Sequence, residues 1–381
     1  MIEIKEVKNK RDISIFAKYP VILYKGCPYY VPSLRSDEKA TFNPKKNFSL
    51  KNNKIKAFLA YKDGKLVGRI AGLINYKDNE LQKKNMVRFS RFECINDIEV
   101  FKALLKAVAN FGKENGMDIM HGPWGFNDTD REGVLTFGFN ERSTYATNYY
   151  YPYFAENMVK LGFEDESKWL EKRFRIPKEV DKRMLSLAER LKTRLKVVDV
   201  AEEMPIKKII KKYGLSLFDT LNDAYKDLDG YVPIEGEAIE NVLKQFATII
   251  NPRYISILVD ENDTVAAFGI CLPSIADALI KSRGKLLPTG FIGVLKSKFF
   301  TRDLEMALIG VRSDYKNTGI NSLIITKILQ RIIDNKIVNL ESNPMLENNY
   351  NIQQQWKFVD ADVVKKRQTY VKDIDYVLNE M

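Results

Sequence analysis

The sequence is poor in the residues that most often bind metal ions or form disulfides. Its 381 residues include three cysteines and a single histidine, His121. The cysteines, Cys27, Cys94 and Cys271, lie far apart in the chain and have no CxxC spacing. This pattern supports neither a disulfide framework nor a zinc site, and a Ser-His-Asp triad would have to use His121. We therefore predict no metal centre and expect His121 to be an ordinary loop or strand-end residue.

Long hydrophobic runs are also missing. No stretch of about 18 apolar residues occurs, and the first residues, MIEIKEVKNKRD, contain no apolar signal-peptide core. With 45% hydrophobic and 29% charged residues, the composition is typical of a soluble globular protein. We expect a cytoplasmic protein with no membrane partner.

Positive charge is in moderate excess. The chain has 61 Lys and Arg against 50 Asp and Glu, which gives a formal net charge of +11. The basic residues are spread along the chain with acidic residues between them, so the charge favours an anionic ligand only weakly. A polyphosphate such as CoA would be a suitable anionic ligand. We expect no nucleic-acid partner other than tRNA.

The order of sequence signals repeats in the two halves of the chain. Each half begins with an alternating strand, IEIKEV (2–7) or LKVVDV (195–200), followed by a helical pattern. Turn residues between two β-rich runs then predict a hairpin, at Asp63-Gly64 in the first half and at Glu261-Asn262-Asp263 in the second. Each half continues with a strand entering a helix and closes with a strand, a helical stretch and a last strand.

This order predicts an α+β (mixed α/β) fold made by tandem duplication. We predict a first domain at residues 1–177, a linker helix at 178–194 and a second domain at 195–381. Each domain should contain a mixed, largely antiparallel sheet flanked by helices. A doubly wound parallel sheet is the alternative, but its βα units should not contain Asp-Gly hairpins.

A family resemblance covers most of the chain and is carried by six segments: CPYYVPSLRSDEKATFNPKKN (27–47), FLAYKDGKLVGRIAG (58–72), FECIND (92–97), GPWGFNDTDREGVLTFGF (122–139), YYYPYFAENMVKLGF (149–163) and MLENNYN (345–351). They resemble the GCN5-related N-acetyltransferase (GNAT) superfamily, and more closely an uncharacterised bacterial tandem GNAT-like family. The resemblance implies two acyl-CoA N-acyltransferase domains, with acetyl-CoA as co-substrate.

The stretch VRSDYKNTGINSLI (311–324) resembles the superfamily's pyrophosphate loop, Gln/Arg-x-x-Gly-x-Gly/Ala. The matching residues are Lys316, Gly319 and Asn321, and Asn321 adds a side chain where the family prefers none. Independently of the motif, the first N–H groups of a helix starting at Ile320 point toward an incoming anion. An ordinary strand-to-helix connection is the alternative. The predicted cofactor residues are Ile309, Val311, Lys316, Asn317, Thr318, Gly319, Ile320, Asn321, Asn343 and Asn348.

The corresponding corner of the first half, FECIND, has no glycine and no basic residue. Asp97 or Asn96 should cap the helix that follows. An ionised Asp97 would repel a pyrophosphate at that helix terminus. The first domain is therefore the less favourable CoA site.

The resemblance also implies a general base and a general acid, since superfamily members commonly use a Glu or a water as base and a Tyr as acid. The candidate bases are Glu305 and Glu341, and the candidate acid is Tyr350, because Gln354 stands where a Tyr is expected. Period-2 alternation would place Glu305 on the same strand face as Ala307, Ile309 and Val311. An exposed carboxylate at the start of a strand is the alternative for Glu305.

A loop rich in aromatic and charged residues follows a strand in the first half. Such loops often line a pocket, although the same residues also serve domain packing. The candidate acceptor-pocket residues are Trp124, Phe126, Asn127, Asp128, Arg131 and Tyr151.

Three functions remain open from the sequence. The leading one is an acyl-CoA-dependent N-acyltransferase that transfers acetyl to a small-molecule or peptide amine. The second is an aminoacyl-tRNA-dependent transferase with tandem GNAT domains, and the third is a non-catalytic CoA-binding or scaffold protein. We expect a monomer or a homodimer.

Overall fold

The computed structural model of the chain describes residues 1–126, 130–227, 231–349 and 359–381. The elements of the first half are β1 (Ile2–Glu6), α1 (Lys10–Leu23), α2 (Arg35–Ala40), β2 (Asn53–Lys62), β3 (Lys65–Asn75), α3 (Tyr76–Gln82), β4 (Met86–Cys94), α4 (Ile98–Glu114), β5 (Ile119–Gly122), β6 (Val134–Phe137), α5 (Tyr153–Lys160) and β7 (Glu164–Phe174).

The remaining elements are α6 (Lys182–Leu195), β8 (Val198–Asp199), α7 (Val200–Glu203), α8 (Ile206–Tyr225), α9 (Glu237–Ile249), β9 (Ile255–Val259), β10 (Val265–Pro273), α10 (Ala276–Ser282), α11 (Gly290–Phe300), β11 (Asp303–Val311), α12 (Ile320–Asp334), β12 (Asn339–Ser342), β13 (Met345–Leu346), β14 (Ala361–Asp373) and α13 (Ile374–Asn379). None of the described helices is long and apolar enough to cross a bilayer.

The strands form one sheet in the order β1-β2-β3-β4-β5-β14-β7-β12-β11-β10-β9-β8. The two predicted hairpins are confirmed as β2–β3 and β9–β10. Neighbours along this order are antiparallel except for β4–β5 and β11–β12, which are parallel. The predicted mixed, largely antiparallel architecture is therefore correct.

The two halves exchange their last strands at the centre of this sheet. β14, from the end of the chain, lies between β5 and β7 of the first half. β7 in turn lies between β14 and β12 of the second half. The long β7–β14 ladder runs from Phe174 opposite Ala361 to Glu164 opposite Val371. Each half thus completes its sheet with a strand from the other half.

One helix packs closely on the sheet in each half. The apolar residues of α4 recur at helical spacing and face the sheet, and Val100, Leu104, Val108 and Phe111 are all buried. Glycines in the strands allow the close approach: a Cβ on Gly68 would lie 2.7 Å from Leu104 Cδ1. In the second half, a Cβ on Gly269 of β10 would lie 2.5 Å from Ile324 of α12. The repeated glycine supports the inferred duplication.

Candidate functional site

Glu305 is a buried carboxyl group near the centre of the sheet. It lies on β11 directly opposite Glu341 of the parallel strand β12 and is only 7% exposed. Ser274 Oγ donates a hydrogen bond to Glu305 Oε1 at 2.7 Å, and the Tyr145 N–H donates to Oε2 at 3.0 Å. Burial raises the pKa of Glu305 from its usual 4.5 to about 7, although both hydrogen bonds oppose the rise. The alternative of an exposed strand-start carboxylate is therefore wrong.

Glu341, the second candidate base, is held by cations. Lys365 Nζ is in direct contact with Glu341 Oε1, and an Nη atom of Arg173 lies 3.3 Å from Glu341 Oε2. Lys365 is fully buried and also lies 3.0 Å from Glu171, which in turn pairs with Arg367 at 2.5 Å. Two cations contact the Glu341 carboxylate, whereas among the described residues Glu305 accepts hydrogen bonds only from uncharged donors, so Glu305 is the stronger candidate for the base.

A bulge in β11 changes which residues share the face of Glu305. The register with β10 shifts between Ile270 and Cys271, which leaves Ala307 as an extra residue. Ala307 and Leu308 pack on the α8 side, whereas Ile309 and Val311 pack on the α12 side. Glu305, which faces Ser274 and Tyr145, therefore does not share a face with Ile309 and Val311. The predicted alternation is wrong here because a bulge inverts the pattern beyond it.

A cleft opens beside β11 after the bulge. The parallel β11–β12 ladder runs from Asp303 to Met306, and the Asn343 N–H then donates to Met306 O at 3.1 Å. Met306 to Ile309 are partly exposed although β11 is an interior strand. The cavity is lined by apolar side chains: Phe174, Ile270, Cys271, Met306, Leu308, Ile309, Ile324, Ile325, Ile328, Leu329, Ile332, Leu340 and Val359.

Asn343 lies at the point where the two parallel strands separate. Its Oδ1 is buried and has no hydrogen-bond partner among the described residues. Such an orphaned acceptor can receive an amide N–H from a ligand in the cleft. Asn348, another predicted cofactor residue, is exposed in the turn after β13.

The predicted pyrophosphate loop connects β11 to α12. Asn317 and Gly319 both have left-handed backbones, with φ of 64° and 89°, and Gly319 caps α12 without a side chain. Thr318 Oγ1 donates to Tyr315 O within the loop, and Ile320 is buried at the start of the helix. Lys316 is exposed and forms no ion pair with a described residue. The loop therefore presents a cation and a helix N-terminus.

Side chains from neighbouring helices also contact this loop. The Ser313 N–H donates to Asp223 Oδ2 at 2.6 Å, and Arg194 of α6 donates to Thr318 O. Burial opposes ionisation of Asp223, but its bonds with Lys226 and Ser313 outweigh that effect and lower its pKa to about 2. Asn321 keeps a buried Oδ1 without a partner among the described residues. The Asp223 carboxylate thus contacts the start of the loop that carries Lys316.

The same corner in the first half is occupied by Asp97, as expected. Its carboxylate accepts the Glu99 N–H at 3.1 Å and caps α4. Lys62 Nζ pairs with it at 2.5 Å and lowers its pKa. The carboxylate therefore takes the place that a phosphate would need.

The candidate acceptor-pocket residues are distributed over two places. Trp124 and Phe126 are buried, and Trp124 packs on Arg88 and Trp169. Tyr151 lies in a cluster of tyrosines, 5.2 Å from the ring of Tyr24. Among the described residues, neither place includes a hydrogen-bond donor to Glu305.

Arg131 is the candidate that the structure connects to Glu305. It donates to the carbonyl oxygen of Tyr145 at 2.5 Å, and the N–H of Tyr145 bonds to Glu305. Tyr145 OH donates to Asp37 Oδ2 at 3.3 Å. A chain of polar contacts thus links the first-half loop to the candidate base. Asn127, Asp128, Tyr350 and Gln354 lie outside the described residues.

The sequence did not single out Tyr145, Ser274, Glu171 or Lys365. Tyr145 and Glu305 are 160 residues apart in the chain, so no local pattern joins them. One local signal was the run of basic residues in KKRQ (365–368), which lies within the last strand of the second half.

Comparison with solved structures shows which architecture this is. A tandem GNAT protein from the clavulanic acid biosynthesis pathway aligns over 98% of this chain and 99% of its own, with a TM-score of 0.55 and 9% identity. The chain has the tandem GNAT fold. A GCN5-related N-acetyltransferase from Sphaerobacter thermophilus aligns with this GNAT fold over 97% of the chain and 96% of its own, with a TM-score of 0.50 and 7% identity.

Sequence comparison adds two bacterial relatives. Protein YghO of Escherichia coli (strain K12) is 25% identical over 96% of this chain and 94% of its own length. A bacterial ceramide synthase of Caulobacter vibrioides (strain NA1000 / CB15N) is 21% identical over 82% of this chain and 81% of its own length. No protein-family profile matches the chain.

Proposed function

We propose that this protein is an acyl-CoA-dependent N-acyltransferase that binds its donor in the cleft beside β11 and uses Glu305 as general base. The observation that carries the proposal is the buried Glu305 carboxyl, whose pKa of about 7 suits proton transfer near neutral pH. The tandem GNAT fold and the cation and helix terminus at the pyrophosphate loop support it.

In the proposed reaction, the amine nitrogen attacks the thioester carbonyl carbon, forming the C–N bond. Glu305 takes the proton that the nitrogen loses. The C–S bond then breaks, and the CoA thiolate leaves and receives a proton, for which Tyr350 remains the candidate donor. Arg131 and Tyr145, which connect to Glu305, would help to position the acceptor.

Acetyl-CoA is the donor that the family resemblance implies. A longer acyl-CoA is the second candidate, favoured by the apolar lining of the cleft. The Caulobacter relative is named a ceramide synthase, and a ceramide is an amide of a fatty acid with a long-chain amino alcohol. We therefore propose a primary amine as acceptor and include long-chain amino alcohols among the candidates.

The test combines donor binding with thiol release. We expect calorimetry to detect binding of acetyl-CoA or octanoyl-CoA, and a thiol-reactive dye to detect CoA release when an amine panel is added. Glu305→Gln should slow the release about 100-fold or more, while the exposed Glu99→Gln should not. No donor binding at millimolar concentration would remove the proposal. Firm donor binding without release across the panel would favour the non-catalytic function, and retention of charged tRNA without donor binding would favour the tRNA-dependent one.

A further inference from the structure

The connection between β10 and β11 is much longer than the corresponding connection in the first half. Residues 76–85 join β3 to β4 and contain only the short helix α3. Residues 274–302 join β10 to β11 and contain both α10 and α11. Because the surrounding strands correspond in the two halves, α11 is an addition that the sheet itself does not require.

One side of α11 packs on the protein. Val294 contacts the buried cluster that contains Ile275 and Leu279. A Cβ on Gly293 would lie 3.1 Å from Ala278 Cβ, so α11 crosses close to α10. Asn251 Nδ2 donates to Lys298 O at 2.9 Å. The helix therefore has a fixed orientation.

The opposite side of α11 exposes large apolar side chains. We call this surface the α11 patch; its members, with their exposed fractions, are Leu287 (75%), Phe291 (44%), Ile292 (56%), Leu295 (48%), Phe299 (55%) and Phe300 (76%). Phe291, Leu295 and Phe299 follow at helical spacing, so they form one stripe. Contiguous exposed apolar surface of this kind marks a binding surface.

The chain segment that carries the patch, between Asp277 and Asp303, has charges of a single sign. Residues 278–302 contain six basic residues and no acidic residue. The basic residues are Lys281, Arg283, Lys285, Lys296, Lys298 and Arg302. Lys281, Lys285 and Lys296 are exposed. A second copy of the chain docked patch to patch would bring like charges together, whereas an anionic surface would neutralise them.

We propose that the α11 patch binds the surface of an anionic lipid bilayer, with its aromatic and aliphatic side chains inserted at the headgroup boundary. α11 has 11 residues, a length of about 16 Å, so it is too short to cross a hydrocarbon core of about 30 Å and lies along the surface. This binding does not depend on the proposed catalytic function, and it departs from the sequence-based expectation of no membrane partner.

The α11 patch lies on the same chain segment as a residue that contacts Glu305. Ser274, which donates to Glu305, is the first residue of the connection that carries α11. Arg142, from the first half, pairs with Asp277 at the start of α10. A bilayer bound at the α11 patch would therefore lie against the element that holds the candidate base, which suits an amphiphilic substrate.

The test is co-sedimentation of the full chain with vesicles of phosphatidylglycerol and phosphatidylcholine, compared with pure phosphatidylcholine. We expect binding to the anionic vesicles and weaker binding at high salt. The triple variant Phe291→Ser, Leu295→Ser, Phe299→Ser should lower the partition coefficient at least about tenfold. The charge variant Lys281→Glu, Lys285→Glu, Lys296→Glu should remove the preference for anionic vesicles.

The matched control is Val159→Ser with Leu215→Ser, two exposed apolar residues outside the patch at 62% and 67% exposure. It should bind like the wild type, and all variants should keep their thermal unfolding midpoint because the replaced side chains are exposed. Absence of binding to anionic vesicles, or equal binding by the triple variant, would overturn the proposal. Light scattering gives a further test. A wild-type dimer that the triple variant converts to a monomer would also overturn the proposal, because a second copy of the chain would then cover the patch.

Discussion

At the scale of single residues, Glu305 should affect both the activity and the stability of the protein. Its carboxyl is buried between β11 and the Tyr145 backbone and has a pKa of about 7. Glu305 can act as a base only in its carboxylate form, and burial in the folded protein disfavours that form. Activity and stability should respond to pH in opposite directions.

For activity, kcat/KM should rise with pH and level off above about pH 7, because only the ionised Glu305 accepts a proton. Glu305→Gln should lose about 100-fold or more in kcat and lose this rise. A pH–rate profile of both proteins measures the effect. An unchanged profile in the variant would assign the proton transfer to another group.

For stability, the sign follows from proton binding. Between pH 4.5 and about 7 the folded protein holds a proton on Glu305 that the unfolded chain releases, so stability falls as pH rises through this window. The cost at pH 8 is on the order of 3 kcal/mol. Glu305→Gln should therefore gain stability relative to wild type at pH 8 but not at pH 4. Urea unfolding at the two pH values gives the difference, and a variant that is weaker at both would contradict the expectation.

Lys365 should be important for stability because it is fully buried between two carboxylates. Lys365→Met would leave Glu171 and Glu341 without this partner, at a cost of about 3–5 kcal/mol. The double variant Lys365→Met, Glu341→Gln should recover part of the loss in urea unfolding. Lys365 also lowers the pKa of Glu305, so any remaining activity should need a higher pH.

At this scale the sequence supplied Glu305 and Glu341 as candidates but could not rank them. The ranking depends on Lys365 and Arg173, which contact Glu341, and on Ser274 and Tyr145, which contact Glu305. These partners come from other strands and loops, and single-sequence patterns report only near neighbours along the chain.

At the scale of elements, the turn into α12 should control donor binding. Gly319 has φ of 89°, a conformation that costs an alanine about 1–2 kcal/mol. Gly319→Ala should therefore lose both stability and affinity for acyl-CoA. Gly64 is the matched control, since it has φ of 75° and no atom within 4 Å of where a Cβ would lie. Gly64→Ala should lose similar stability and keep donor affinity in calorimetry; equal loss of affinity in both would show that the loop is not the donor site.

Hairpins, the α4 face and the Asp97 cap were predictable because each depends on a few consecutive residues. The bulge at Ala307 was not, because it exists only relative to the register of β10. The face assignment of Ile309 and Val311 failed for that reason alone. Periodicity is reliable along a strand only as far as its ladder is regular.

At the scale of the whole molecule, the exchange of β7 and β14 joins the halves. Residues 1–177 alone would leave β5 and β7 without β14 between them. We expect this fragment to be unfolded or aggregated, and co-expression with residues 178–381 to restore a folded complex. Circular dichroism and size-exclusion chromatography measure both outcomes. A monomeric, cooperatively folded 1–177 fragment would contradict this expectation.

The duplication was predictable from the repeated order of signals, and the exchange was not. The closing strands of both halves have similar charged, alternating sequences, so local patterns do not say which partner each strand chooses. That choice depends on contacts such as the buried Glu171, Lys365 and Arg367 group, which joins β7 to β14. The predicted boundary at residues 178–194 remains a prediction about sequence units.

The place of β14 in the sheet also matters while the protein is being made. Synthesis runs from the N-terminus, and β14 begins only at Ala361. The gap between β5 and β7 therefore stays open until residues 361–373 have left the ribosome. During that time both strands offer unpaired edges to neighbouring chains. Residues 361–373 thus complete the sheet of the first half only after the second half has been made.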